Sequence, residues 1–249
     1  MLAPLFANAG NDGTICFGDS IQIGTALVNG QSYSWLPASG LSNSSIPNPI
    51  AMPSVTTTYT VSVAKQNCMI ISDEVTVIVH PLPDANAGVD DSITKGNSVQ
   101  LVATGGIQYV WSPAFALSNP GINNPVAHSD VSTDYIVSVT DLNNCINYDT
   151  VHIEVMEPEY WLPNSFTPGN NGLNDVFFVR GRGIANFEFT VFDRWGEQIF
   201  YTKEMTIGWD GTKQGSDIKM PEGAYLYVVR GTLSNGDAID NKGLVNLIR

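Results

Sequence analysis

Cysteine and histidine are the residues of this sequence best suited to chemistry. The 249-residue chain contains three of each: Cys16, Cys68, Cys145, His80, His128 and His152. A cysteine can form a disulfide or act as a nucleophile, and a histidine can act as a base or a metal ligand. The sequence identifies no histidine partner that would activate the Cys145 thiol, although sequence distance does not exclude one. Which of these roles is open depends on the elements that position the side chains.

The first 157 residues contain two copies of one module. Ala-Asn-Ala-Gly at residues 7–10 recurs at residues 85–88, and Trp35-Leu36-Pro37 returns as Trp111-Ser112-Pro113. A self-similarity of this length indicates tandem domains. Prolines at residues 81, 83 and 158 mark the joints. We therefore predict three domains, over residues 1–80, 81–157 and 158–249.

The repeat also tests the histidines. His128 aligns with Met52, His152 aligns with Thr76, and His80 precedes a linker proline. Because one copy carries a histidine where the other copy lacks one, an acid–base or ligand role common to the modules is not supported. The sequence predicts no catalytic residue, no metal ligand and no enzyme activity.

Each module has a hydrophobic period of two, which is typical of β-strands. Tyr59, Val61 and Val63 alternate with polar residues, as do Val75, Val77 and Val79. About seven such short strands, separated by Gly, Pro, Asn and Ser, favour an antiparallel sandwich. The arrangement resembles immunoglobulin-like and PKD-like repeats of bacterial surface proteins. The predicted fold class is all-β, with three consecutive antiparallel β-sandwich domains.

The cysteines fit such a sandwich in one way. Cys16 precedes the second strand and Cys68 follows the strand at residues 59–63, so we predict a Cys16–Cys68 disulfide and an oxidising compartment. In the second copy Cys145 aligns with Cys68, but Thr94 stands where Cys16 would be. Cys145 is therefore expected to be unpaired. The alternative is three reduced, buried thiols.

Trp35 and Trp111 occupy matching positions in the two modules. They are interpreted as core residues, and the alternative is a pair of platforms on which a glycan stacks. The second interpretation would make the chain an adhesin or glycan-binding module.

Charge divides the sequence and excludes some partners. The chain has a formal net charge of −13, and nine of its eleven basic residues lie in residues 158–249. So few cations argue against nucleic-acid binding. No apolar run reaches the length that spans a bilayer, so no transmembrane segment is predicted. We expect this chain to be a monomer.

Residues 160–249 carry a series of strand–turn motifs. Pro163-Asn164-Ser165-Phe166-Thr167-Pro168 leads into a glycine- and asparagine-rich loop, and Asp193-Arg194-Trp195-Gly196 and Gly208-Trp209-Asp210-Gly211 follow. Gly196 and Gly211 supply the positive φ that tight turns need. The motif residues that we single out are Pro163, Phe166, Thr167, Pro168, Gly172, Asn174, Asp175, Arg194, Trp195, Gly196, Trp209, Asp210, Gly211, Tyr225, Lys242 and Gly243.

This order of motifs resembles the gliding-motility-associated C-terminal domain of Bacteroidota, the type B sorting signal of the type IX secretion system. The resemblance covers residues 160–249. It implies a secreted protein on the extracellular face of the outer membrane. It also implies two partners, the type IX secretion machinery and an outer-membrane protein of the PorP/SprF kind.

The loop at residues 169–172 departs from the family pattern, because Asn-Gly-Asp-Gly reads Gly-Asn-Asn-Gly here. Asp and Asn before Gly can form calcium loops, but a Ca²⁺ site needs several carboxylates and this loop has only Asp175 nearby. We expect an amide-rich turn and no cofactor, with calcium as the alternative. Together these features predict a non-enzymatic surface-protein region with two spacer modules and a sorting signal.

Overall fold

The fold was examined in a computed structural model, which describes residues 6–65, 70–169 and 172–249. The described residues form strands and turns and contain no α-helix. This confirms the all-β sandwich fold class. No helix among these residues is long and apolar enough to cross a membrane. By backbone proximity the chain divides into two compact units, residues 1–86, 103–110 and 137–149, and residues 87–102, 111–136 and 150–249. The division at residues 80 and 157 stays a prediction.

Among its described residues, the first repeat contains six strands, one fewer than predicted. A four-stranded sheet has the order β1-β6-β5-β3, and β2 pairs with β4. The strands are β1 (Gly13–Cys16), β2 (Ile21–Gln22), β3 (Gln31–Leu36), β4 (Ile50–Ala51), β5 (Thr57–Lys65) and β6 (Ile71–His80). The alternating apolar residues of β5 and β6 form its core together with the buried Trp35.

The second repeat follows the same plan. Its four-stranded sheet has the order β7-β12-β11-β9, and β8 pairs with β10. The strands are β7 (Asp91–Thr94), β8 (Val99–Gln100), β9 (Gln108–Ser112), β10 (Val126–Ala127), β11 (Thr133–Thr140) and β12 (Ile146–Met156). In both repeats the first strand runs parallel to the last. Strand β5 pairs antiparallel with β3 and with β6, and the pairs β2–β4 and β8–β10 are also antiparallel.

Equivalent residues of the two repeats make equivalent contacts. The indole N–H of Trp35 donates to the Ile46 carbonyl at 2.8 Å, and that of Trp111 donates to the Ile122 carbonyl at 3.0 Å. Each tryptophan is only 1% exposed. The core interpretation is therefore confirmed, and neither ring is available as a glycan platform.

The disulfide differs from the one predicted: Cys16 is bonded to Cys145, with a Cα–Cα distance of 5.5 Å. The direction of β1 explains the error. Cys16 lies beside His80, at the end of the ten-residue strand β6, and this strand starts at Ile71. Ten residues of strand span about 30 Å. Cys68 precedes Ile71 by three residues, which reach only about 10 Å, and it lies outside the described residues.

The loop that carries Cys145 is organised by Asp141. One Asp141 carboxylate oxygen accepts the backbone N–H groups of Asn143 and Cys145, each at 2.8 Å. Burial alone would raise the pKa of Asp141, but these N–H donors outweigh burial and lower that pKa. The carboxylate thus fixes the backbone from which the Cys145 thiol reaches Cys16.

The terminal segment contains a five-stranded sheet with the order β14-β19-β18-β16-β17, and a separate pair, β13 with β15. Its strands are β13 (Glu159–Trp161), β14 (Ser165–Phe166), β15 (Arg180–Arg182), β16 (Ile184–Phe192), β17 (Gln198–Thr202), β18 (Gly223–Leu233) and β19 (Ala238–Leu247). Only β14 runs parallel to its neighbour in the five-stranded sheet. Buried aromatic rings dominate the core beneath this sheet.

Candidate functional site

Most of the motif residues of the terminal segment meet at one end of the five-stranded sheet. We call this region the motif end and define it as the loops at residues 166–175, 193–197, 208–212 and 220–225 together with residues 247–249. Three of these segments, residues 193–197, 220–225 and 247–249, lie at the same end, because Phe192 pairs with Leu226 and Gly223 pairs with Leu247.

Asp175 organises the loop at residues 166–175. Its two carboxylate oxygens accept the N–H of Gly169 at 2.9 Å and the N–H of Gly172 at 2.7 Å. The Thr167 N–H donates to the Asn174 carbonyl at 2.8 Å, which closes the loop at its base. The two central asparagines of the loop, residues 170 and 171, lie outside the described residues. Asp175 therefore acts on the backbone of its own loop.

Trp209 anchors the motif end from inside. Its ring is fully buried, with centroids 5.1 Å from Phe166 and 4.7 Å from Tyr225. The indole N–H donates to the Thr212 carbonyl at 2.7 Å, so the buried polar atom has a partner. Asp210 accepts the Thr212 N–H at 2.9 Å and holds the turn. The motif residues Phe166, Trp209 and Tyr225 are thus one packed cluster.

Gly211 is the point at which three segments touch. A Cβ atom on Gly211 would lie 2.9 Å from the Leu247 side chain and 3.0 Å from that of Pro168. The residue also has a φ of +82°, which glycine tolerates best. Its carbonyl accepts a hydrogen bond from the Arg249 guanidinium at 3.2 Å. The contacts explain why this turn carries glycine.

Arg249 closes the motif end, a role that no motif in the sequence indicates. Its guanidinium also donates to the Met220 carbonyl, and its backbone N–H donates to the Glu222 carboxylate at 2.9 Å. The nearby Tyr225 hydroxyl donates to the Pro221 carbonyl at 2.6 Å. Burial raises the pKa of Tyr225, although the positive charges of Arg194 and Arg249 act to lower it. The tyrosine is therefore a neutral hydrogen-bond donor.

Trp195 is the one motif tryptophan that points into solvent, with 87% of its surface exposed. Asp193 holds its turn, because one carboxylate oxygen accepts the N–H groups of Trp195 and Glu197, each at 2.8 Å. Gly196 has a φ of +84°. A cavity of about 170 Å³ separates this turn from residues 220–225, and Arg194 is among its lining residues. The turn presents a large aromatic side chain on a hydrogen-bonded backbone.

Pro163, Lys242 and Gly243 lie outside the motif end. Pro163 precedes β14, and the next residue, Asn164, accepts the Asn246 N–H at 3.0 Å through its carbonyl. Lys242 and Gly243 lie in the middle of β19. Gly243 faces Tyr227 on β18, and a Cβ atom there would touch the tyrosine hydroxyl. Glycine at 243 therefore makes room for a partly buried ring.

The described residues contain no group of three or more His, Cys, Asp or Glu side chains that could hold a metal ion. His152 is an exposed histidine whose Nδ1 lies 2.6 Å from the Asp134 carboxylate. The hydrogen bond to Asp134 raises the pKa of His152. In the first repeat the equivalent position is Thr76, whose hydroxyl hydrogen-bonds to that of Thr58 at 2.9 Å. The His152–Asp134 pair thus occupies the position of the Thr76–Thr58 cross-strand contact of the first repeat.

Comparison with known proteins supports the motif-based resemblance. Residues 160–247 match the family model described as the CHU_C type IX secretion signal domain. A search of curated proteins finds no match.

Solved structures also match this chain, with TM-scores below 0.5. The eight N-terminal Ig domains of Down Syndrome Cell Adhesion Molecule match 98% of this chain with a TM-score of 0.42 and 13% identity, and this chain spans only 36% of that structure. DIP-gamma Ig1+Ig2 matches 61% of this chain and 95% of its own, with a TM-score of 0.31 and 10% identity. The human desmocollin-1 ectodomain matches at a TM-score of 0.25 with 10% identity, over 96% of this chain and 57% of its own.

Proposed function

We propose that residues 158–249 are the sorting signal that the type IX secretion machinery recognises when it exports a surface protein. The two preceding repeats are proposed to be a non-enzymatic spacer. The observation that carries the proposal is the match of residues 160–247 to the type IX secretion signal domain. The convergence of the motif loops at one end supports it. In this proposal the domain works without a cofactor.

The partner that we propose is an outer-membrane protein of the PorP/SprF kind, and the destination is the extracellular face of the outer membrane. Trp195 is the residue best placed to contact this partner. Tryptophan, tyrosine and arginine are enriched among the residues that dominate binding at protein interfaces. Arg194, the preceding residue, adds a cation that planar acceptors bind well.

The alternative function, glycan binding through Trp35 and Trp111, loses its predicted platforms because both rings are buried. No other observation favours it over the sorting function.

Surface display of the full chain behind a cleavable export signal tests the proposal in a host that has type IX secretion. Removal of residues 158–249 is expected to abolish display, and unimpaired display would overturn the sorting role. Trp195→Ala is expected to reduce display severalfold without changing the melting temperature, because the ring is mostly exposed and makes few contacts within the domain. Trp161→Ala is the matched control, since this ring is 53% exposed and lies outside the motif end. Equal display of both variants would refute the role of Trp195.

Trp209→Ala separates folding from recognition. The side chain is fully buried, so its truncation should cost about 3–5 kcal/mol of stability. Loss of display in this variant is expected to follow loss of the fold, measured by thermal denaturation, whereas Trp195→Ala should lose display with the fold intact.

A further inference from the structure

Strand β19 leaves most of one edge open. On its inner side it pairs with β18 from Ala238 to Leu247 without interruption. On its outer side, among the described residues, it pairs only with the two-residue strand β14, opposite Asn246 and Leu247. Residues 238–244 therefore form an unpaired edge of a five-stranded sheet. We call this segment the open edge.

The direction of its backbone groups follows from β14. The N–H groups of Asn246 and Ile248 donate to carbonyls on the β14 side, at 3.0 and 3.1 Å. Because N–H and C=O groups of alternate residues in a strand point to the same side, the even-numbered residues face outward. The outward-facing residues of the open edge are Ala238, Asp240, Lys242 and Leu244. Their N–H groups are unpaired donors and their C=O groups are unpaired acceptors, and the backbone of another extended strand can pair with both.

The side chains of the same four residues are exposed and complement themselves. Reading along the edge gives a small residue, an acid, a base and a large apolar residue. When the segment is laid antiparallel on a copy of itself about Asn241, Asp240 faces Lys242 of the copy. Leu244 then faces Ala238. A parallel arrangement in register would instead place like charges opposite each other, which destabilises a strand pair.

The register also satisfies the backbone. In an antiparallel pair, residues whose N–H and C=O groups point toward the partner must face each other. Pairing about Asn241 matches even residues with even residues, so each outward group of Asp240 meets one of Lys242. Asn241 itself then faces Asn241 of the copy in a non-hydrogen-bonded position.

We propose that the open edge binds a second copy of this chain, forming a two-fold symmetric dimer in which the two sheets continue across the interface. This inference departs from the monomer that the sequence predicts. It goes beyond the proposed sorting function, because it concerns the edge of β19, which contains the motif residues Lys242 and Gly243 but lies outside the motif end. Surfaces related by a two-fold axis must complement themselves, and this segment does so in charge, size and hydrogen-bonding direction.

The mass of the full chain in solution tests the dimer. Sedimentation equilibrium from about 1 µM to about 1 mM should show the mass rising from 26.8 kDa toward twice that value. Asp240→Pro should keep the protein monomeric, because proline removes an outward N–H and is tolerated at strand edges. Asp240→Ala is the matched control. It keeps the N–H, so it should still dimerise, with affinity weakened severalfold by loss of the charge.

A cysteine at the proposed axis tests the register. Facing residues of a non-hydrogen-bonded pair have Cα atoms about 4.5 Å apart, within the range of a disulfide. In a Cys68→Ser background, Asn241→Cys should form a covalent dimer on mild oxidation, and Asn235→Cys in the neighbouring hairpin turn should not. A monomer throughout the concentration range would overturn the proposal. So would a dimer that survives Asp240→Pro, or equal cross-linking by both cysteine variants.

Discussion

Removal of the Cys16–Cys145 disulfide should destabilise the part of the chain that it closes. The bond joins residues 129 positions apart. On the chain-entropy model a closed loop of this length contributes about 5 kcal/mol, compared with roughly 4 kcal/mol for the shorter loop of the predicted Cys16–Cys68 pair. We therefore expect Cys145→Ser to lose about 2–5 kcal/mol, the range seen when native disulfides are removed. In a chain of this size the loss lowers the melting temperature by about 10 °C.

The assay combines thermal denaturation with peptide mapping under non-reducing conditions. Cys68→Ser is the matched control and should change neither the melting temperature nor the map, since the disulfide uses the other two cysteines. Thiol labelling of the denatured, unreduced chain should modify Cys68 alone. The reasoning is refuted if Cys68→Ser destroys the disulfide, or if in Cys145→Ser Cys16 is bonded to Cys68 and the melting temperature is unchanged.

Two further predictions concern single side chains. The pKa of His152 is raised by its hydrogen bond to Asp134, so this pair stabilises the fold fully below about pH 6.5 and less as the pH rises through the folded-state pKa. An NMR titration should show the pKa of His152 falling toward its ordinary value in Asp134→Asn, and an unchanged pKa would contradict the assignment. Gly96→Ala should destabilise more than Gly18→Ala, because both residues have positive φ but only at Gly96 would a Cβ atom overlap the Ser234 carbonyl. The second substitution carries only backbone strain of about 1–2 kcal/mol, and equal melting temperatures would show that the close approach is absent.

The sandwich fold could be predicted from the sequence because its evidence is local. Strands with a buried face alternate in hydrophobicity, and the repeat shows the alternation twice. Trp35 and Trp111 could be assigned to the core for the same reason. Their matching positions indicate the same environment in both repeats, and in each repeat the buried indole N–H donates to a backbone carbonyl of its own module.

The disulfide could not be predicted because it depends on strand direction. The sequence places Cys16 just before a predicted strand but does not show that β1 runs parallel to β6, which places Cys16 at the far end from Ile71. The repeat alignment showed that Thr94 replaces Cys16 in the second copy. That replacement indicates a bond between copies as readily as a lost partner, and the structure has the bond between copies.

The terminal segment shows how far a motif can predict a site. Trp195 and Trp209 each precede a turn glycine or aspartate, yet the first is exposed and the second is buried. The difference lies in surroundings that spacing does not reveal: the Trp195 N–H donates to Asp193 in an exposed turn, whereas the Trp209 ring packs against Phe166 and Tyr225 and its indole N–H donates to the Thr212 carbonyl. A match to the motif does not distinguish the exposed tryptophan from the buried one. Only the exposed ring can contact a partner before the domain unfolds, so recognition of the folded domain should depend on Trp195 and its stability on Trp209.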